Sequence, residues 1–125
     1  MQRQPLSDAE MEIMTVLWDS PEPLSVGGIT SAFTDTKGWK VQTVSTFISR
    51  LLSKGYLNCE KRRGAGHYSP AMTREEYDAM LAKSLLDETY NGSLKRLCAS
   101  LVDSGSVSEE ELSALKSWFD ERYKK

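Results

Sequence analysis

Residues 40 to 50 read Lys-Val-Gln-Thr-Val-Ser-Thr-Phe-Ile-Ser-Arg. Val44, Phe47, Ile48, Leu51 and Leu52 recur at three- and four-residue steps, which predicts a helix from about Lys40 to Lys54 with one apolar stripe. Its other face carries Gln42, Thr43, Ser45, Thr46, Ser49 and Arg50. A merely solvated helix face favours Glu, Lys and Ala, and hydroxyl residues are mediocre helix formers. Small hydroxyls, an amide and a guanidinium are better suited to approaching phosphates and base edges closely, without steric bulk.

Charge follows the same segment. The chain of 125 residues has a formal net charge of −2. Residues 37–72 nevertheless hold Lys37, Lys40, Arg50, Lys54, Lys61, Arg62 and Arg63 against Glu60 alone, a local excess of six positive charges. The segments on either side are both acidic. A concentrated basic block inside an acidic protein is what a localised phosphate-binding surface requires, although a solvated face would look similar. Catalysis finds little support. His67 is the single histidine, no Ser/His/Asp or Cys/His grouping or HExxH stands out, and Gly64-Ala65-Gly66 lacks the strand-to-helix setting of a nucleotide loop. Cys59 and Cys98 lie far apart and fit no zinc spacing, so neither a metal nor a cofactor is expected. With no signal-peptide pattern and no apolar run near the roughly 20 residues of a membrane span, a reduced cytosolic setting is expected, with both thiols partly buried.

The elements that must hold these residues can be read around them. Ser7 with Glu10 forms a capping box, and Leu6 with Met11 a hydrophobic staple, opening a helix that carries Ile13, Val16 and Leu17 inward. Asp19-Ser20-Pro21-Glu22-Pro23 ends it. Ser25 can cap a short second helix with Ile29, Ala32 and Phe33 facing the core. Gly55 stops the third helix. Trp39 suits either the core at that helix's entry or a phosphate. Beyond Gly55, alternation in Tyr56 to Glu60 and around Tyr68 reads as two short strands, with Arg62-Arg63-Gly64-Ala65-Gly66-His67 as a flexible basic tip. Three helices and a basic hairpin make a winged helix-turn-helix over residues 1–72. The expected class is mainly α with a small β-wing.

Residues 73–125 read as three amphipathic helices, opened by Thr73 with Glu76 and, after the interruptions at Gly92 and Gly105, by Ser108 with Glu111. Their apolar positions include Tyr77, Leu81, Leu85, Leu94, Leu97, Leu101, Leu112, Leu115, Trp118 and Phe119. A segment shorter than about 60 residues struggles to bury enough surface alone. A homodimerisation domain is therefore expected, the alternative being an intramolecular three-helix bundle packed on the winged helix.

Taken together, these stretches resemble the penicillinase-repressor (BlaI/MecI/CopY) family over nearly the whole chain. The likeness is carried by Leu6-Ser7-Asp8-Ala9-Glu10-Met11-Glu12-Ile13-Met14 through Leu17-Trp18, by Trp39 and Thr43-Val44-Ser45-Thr46-Phe47-Ile48-Ser49-Arg50-Leu51, and by Lys54-Gly55-Tyr56-Leu57. Tyr68-Ser69-Pro70, Tyr90-Asn91-Gly92 and Ser108-Glu109-Glu110-Glu111-Leu112 with Leu115 extend it. The resemblance implies a transcriptional repressor that binds inverted-repeat operator DNA as a homodimer. It also implies that Gln42, Thr43, Ser45, Thr46 and Arg50 read the major groove, with Lys40 at the helix entry. In the β-lactam branch a membrane sensor-protease pathway leads to cleavage in the dimerisation domain, at a position that is Ser100-Leu101 here. The copper branch carries a cysteine-rich C-terminal motif, whereas Trp118 to Lys125 holds no cysteine.

The expected division of labour gives phosphates to Arg50, Lys54, Arg62, Arg63 and His67, and base edges to Gln42, Thr43 and Thr46. A winged-helix protein-interaction scaffold without DNA binding is the competing reading, and steep salt dependence of duplex binding separates the two.

Overall fold

Ser7 opens the first helix as its spacing to Glu10 predicts. Its hydroxyl accepts the Glu10 N–H at 3.2 Å, and its own N–H donates to Glu10 Oε1 at 2.8 Å. The computed structural model, which describes residues 4–124, continues from this cap into α1 (Asp8–Asp19). Leu6 and Met11 both pack on the core behind it. Strand β1 (Leu24–Ser25) follows, then α2 (Val26–Ser31), capped by the Ser25 hydroxyl, and α3 (Val41–Lys54). Gly55 ends α3 at φ 84°, a left-handed conformation that spares glycine a Cβ clash. Gly55 N–H then reaches Leu52 O at 3.1 Å and Tyr56 N–H reaches Leu51 O at 2.9 Å.

The chain next forms the hairpin β2 (Leu57–Arg62) and β3 (Ala65–Pro70). The sheet is antiparallel in the order β1-β3-β2, with Leu24 opposite Tyr68 and Cys59 opposite Tyr68 on the other side. The short strand β1 is an addition to the two strands expected from sequence. It turns a two-stranded wing into a three-stranded sheet anchored next to α2. This is a winged helix-turn-helix.

One core serves this part of the chain: Ile13, Met14, Leu17, Ile29, Phe33, Val44, Ile48, Leu51, Tyr56, Leu57 and Tyr77. Two residues expected in it are not there. Ala32 is exposed, because α2 ends at Ser31 and Ala32 is already its C-cap. Leu52 is 38% exposed, one position past the edge of the stripe set by Val44, Ile48 and Leu51. Cys59, expected to be partly buried, is exposed on β2; Cys98 is half-buried.

The chain divides after Leu81 into two compact units. Helix α4 (Arg74–Ser84) begins in the first and is opened by the expected Thr73–Glu76 box, at 2.9 and 3.0 Å. Tyr77, expected on the dimer-facing stripe, is a correction. It is 3% exposed, its ring lies 5.8 Å from those of Trp18 and Tyr56, and its hydroxyl accepts the Leu6 N–H at 3.4 Å. Its apolar surface is used inside the N-terminal unit.

The second unit runs from the end of α4 through a π-helical turn (Leu85–Thr89) to α5 (Leu94–Asp103) and α6 (Glu109–Arg122). Ser93 and Ser108 cap the last two helices, each hydroxyl accepting an N–H at 3.1 Å. No described residue of this unit beyond Leu81 is buried. Leu85, Leu94, Leu101, Leu112, Leu115, Trp118 and Phe119 are all exposed, and Leu97 is half-buried. No helix among the described residues is long and apolar enough to cross a membrane.

Candidate nucleic-acid interface

The apolar stripe of α3 fixes which side chains face outward. Val44, Ile48 and Leu51 are buried, so the helical period leaves Gln42, Thr43, Thr46, Ser49 and Arg50 exposed and Ser45 half-buried. The entry of the helix is held by an aromatic cluster. Trp39 lies 4.6 Å from Phe33 and 5.2 Å from Phe47 between ring centroids, so this residue packs on the core. Lys40 is the N-cap and is exposed; its side chain does not cap the helix. Thr46 donates its hydroxyl proton to Gln42 O at 3.0 Å, which leaves the hydroxyl oxygen and methyl available outward. The Arg50 guanidinium rests 5.9 Å from the Phe47 ring.

The wing is tighter than its sequence suggests. Its turn is the two residues Arg63 and Gly64, at φ 53° and φ 80°. Positive φ at both central positions is the type I′ geometry, whose twist matches that of the paired strands. The expected flexible tip over residues 62–67 is corrected accordingly. Arg62 pairs with Ala65, Lys61 with Gly66 and Glu60 with His67. Gly66 is a close-packed strand residue: a Cβ there would sit 3.0 Å from Tyr68 Oη and 3.3 Å from Cys59 Sγ. His67 is half-buried, with Nδ1 3.1 Å from Ala65 O, and lies opposite Ser25.

The basic block divides into engaged and available charges. Lys37 pairs with Glu12 at 3.2 Å, and Arg62 with Glu60 at 2.6 Å, both on the surface. Lys54, expected at a phosphate, is a correction: its Nζ lies 2.6 Å from Oε1 of Glu10, which is 1% exposed, and also donates to Pro5 O at 3.3 Å. Burial pushes the Glu10 carboxyl up. The hydrogen bond from Lys54, those from the Ser7 N–H and hydroxyl, and the lysine charge together outweigh it and hold the carboxyl below its usual 4.5. Lys40, Arg50, Lys61 and Arg63 make no ion pair among the described residues. Lys61 belongs with this group although its type and position alone do not single it out.

The remaining candidates lie in the second unit. Ser100 and Leu101 are both exposed and sit within α5, where Ser100 O accepts the Ser104 N–H at 3.1 Å and Leu101 O the Ser106 N–H at 3.1 Å. Trp118 and Phe119 pack edge to face at 4.9 Å, and Phe119 stacks on Tyr123 at 5.7 Å, so the aromatic face of α6 is built from its own neighbours. No group of three or more metal-ligating side chains occurs among the described residues.

A family model described as penicillinase repressor matches residues 6–121. The penicillinase repressor of Bacillus licheniformis is 28% identical over 116 residues, covering 93% of this chain and 90% of that protein. The methicillin resistance regulatory protein MecI of Staphylococcus aureus is 24% identical over 112 residues, 90% of each chain. Among solved structures, the DNA-binding domain of the repressor BlaI superposes with a TM-score of 0.53 at 31% identity, covering 62% of this chain and 94% of that one. The monomeric form of Bacillus licheniformis BlaI in complex with the blaP half-operator gives 0.52 at 29% identity, over 61% and 92%.

Proposed function

The chain belongs to the penicillinase repressor family, and we propose that it represses transcription as a homodimer bound to inverted-repeat operator DNA. In this reading α3 enters the major groove of each half-site. Gln42, Thr43 and Thr46 meet base edges, with Ser45 beside them, while Lys40, Arg50, Lys61 and Arg63 neutralise phosphates. Arg62 and His67 support the wing from its strands and contact the backbone secondarily. The observation that carries the reading is the outer face of α3: exposed, free of carboxylates, and backed by a core stripe that leaves the helix no other orientation. The similar monomeric form of BlaI was solved in complex with a half-operator, which supports DNA docking here.

The exposed apolar residues from Leu81 onward support a homodimer. Leu81, at the end of the first unit, and Leu85, Leu94, Leu101, Leu112, Leu115, Trp118 and Phe119 of the second, with the half-buried Leu97, would be covered by a second copy, giving two recognition helices about 34–36 Å apart on one face of the duplex. A signal acting on that unit would then relieve repression, either through cleavage at Ser100-Leu101 by a sensor-protease pathway or through another input that separates the copies.

Footprinting over the promoter of its own gene and its neighbours tests this directly. A protected inverted repeat is expected, together with binding that falls steeply with salt. The slope of log K against log salt should shrink by about one for Arg63→Ala. Failure to bind any duplex would leave the scaffold reading in its place.

A further inference from the structure

Beside the second half of α3 lies a notch of about 350 Å³, lined by Gln4, Thr46, Ser49, Arg50, Ser53 and Lys54. Every lining residue bears a hydrogen-bond donor and none is acidic. Residues 46, 49, 50 and 53 stand at helical steps of three and four, so they form one polar row that continues the outer face of α3 toward its C-terminal end. The facing wall is the segment before α1, and it is fixed in place. Lys54 Nζ donates to Pro5 O at 3.3 Å, the Tyr56 hydroxyl donates to Gln4 O, and the Leu6 N–H donates to the Tyr77 hydroxyl. Because the Lys54 charge is matched by Glu10, Arg50 is the cation the notch offers outward.

One guanidinium surrounded by neutral donors, open to solvent and without a lining carboxylate, fits a singly charged phosphodiester. We propose that the notch seats one backbone phosphate of the duplex whose groove receives α3. Arg50 supplies the charge, and Gln4, Ser49 and Ser53 supply neutral hydrogen bonds. The proposal rests on the DNA-binding reading and extends it to the N-terminal segment, whose residue types and spacing do not by themselves point to the interface.

The test is fluorescence anisotropy of the full chain on two duplexes, its own promoter fragment and a mixed-sequence control of equal length. Replacing Gln4, Ser49 and Ser53 together by alanine should weaken both complexes equally, by roughly tenfold, since phosphate contacts carry no base information. The salt slope should stay at the wild-type value for this uncharged triple variant, whereas Arg50→Ala should lower it by about one. A scan of single methylphosphonates along the DNA supplies a check that does not depend on altering the protein. Wild type should lose affinity at each contacted phosphate. At one per half-site the loss should be smaller for the triple variant and for Arg50→Ala than for wild type, while at the other phosphates the three should lose equally. Wild-type affinity in the triple variant, or a loss confined to the promoter fragment, would overturn the phosphate seat while leaving the repressor reading intact. If the wild-type chain binds neither duplex, both fall.

Discussion

Apolar side chains are handled in opposite ways in the two units of this chain. Up to Leu81, the large ones converge: Ile13, Met14, Ile29, Val44, Leu51 and Tyr56 are fully buried, and ring contacts tie Trp18, Tyr56 and Tyr77 together. Beyond it, helices of similar length leave Leu94 at 52% and Trp118 at 50% exposure. Both units are capped by the same Ser-x-x-Glu chemistry, at Ser7 and at Ser108, so local signals do not separate them. The difference lies in long-range closure. The N-terminal unit has a sheet and crossing helices that enclose its core, whereas the second unit has helices alone and too few residues to enclose one. A reading head that must keep its shape is complete in one copy. The second unit leaves its apolar faces uncovered.

Leu51→Ala is the strongest way to break that contrast. It should cost the N-terminal unit about 2–5 kcal/mol in chemical denaturation, because it opens a cavity in a closed core. The same truncation at Leu115 should cost the dilute chain less than about 1 kcal/mol. Equal losses would show that the second unit is closed after all.

Next in size is Lys54→Met, which strands the buried Glu10 carboxylate and should cost about 3 kcal/mol. Adding Glu10→Gln should recover part of it, which a double-mutant cycle would reveal. Trp118→Ala with Phe119→Ala should weaken self-association by about 2 kcal/mol in sedimentation equilibrium while leaving the N-terminal unit's unfolding unchanged.

The same carboxylate predicts an acid response. Its folded-state pKa lies below the ordinary 4.5, so its contribution to stability is present above that pH and is lost as pH falls through the folded value. Glu10→Gln should therefore flatten the stability profile on the acid side of 4.5, within the N-terminal unit only. The smallest effect belongs to Gly64→Ala. At φ 80° it should cost about 1 kcal/mol, appearing first as faster amide exchange in the wing.

Much of this is legible in the sequence because it is local. The caps at Ser7 and Thr73, the stop at Gly55 and the face of α3 each depend on residues within one or two turns of each other. What escapes depends on partners far along the chain. Lys54 reads as an interface cation until Glu10, 44 residues away, is found beneath it. Tyr77 fits an amphipathic stripe until Trp18 and Tyr56 close around it. Strand β1 has only two residues, and Ser25 announces a helix cap more clearly than a strand. The wing turn is obscured for a different reason: arginine seldom adopts positive φ, so Arg63-Gly64 carries little type I′ signal beside the glycine at 66. Among the candidate interface residues, types and spacing pick out the exposed face of α3, and only the fold sorts engaged from available charges.

The order β1-β3-β2 has one further effect. With β3 in the middle, β2 offers an unpaired edge six residues long, a length at which another chain's strand could add by backbone hydrogen bonding. Glu60, Lys61 and Arg62 occupy its outer end. These charges guard that edge against sheet growth. A variant bearing valine or threonine at 61 and 62 should gain a tendency to form fibrils when crowded, and in the proposed DNA-bound state should also lose salt-sensitive affinity.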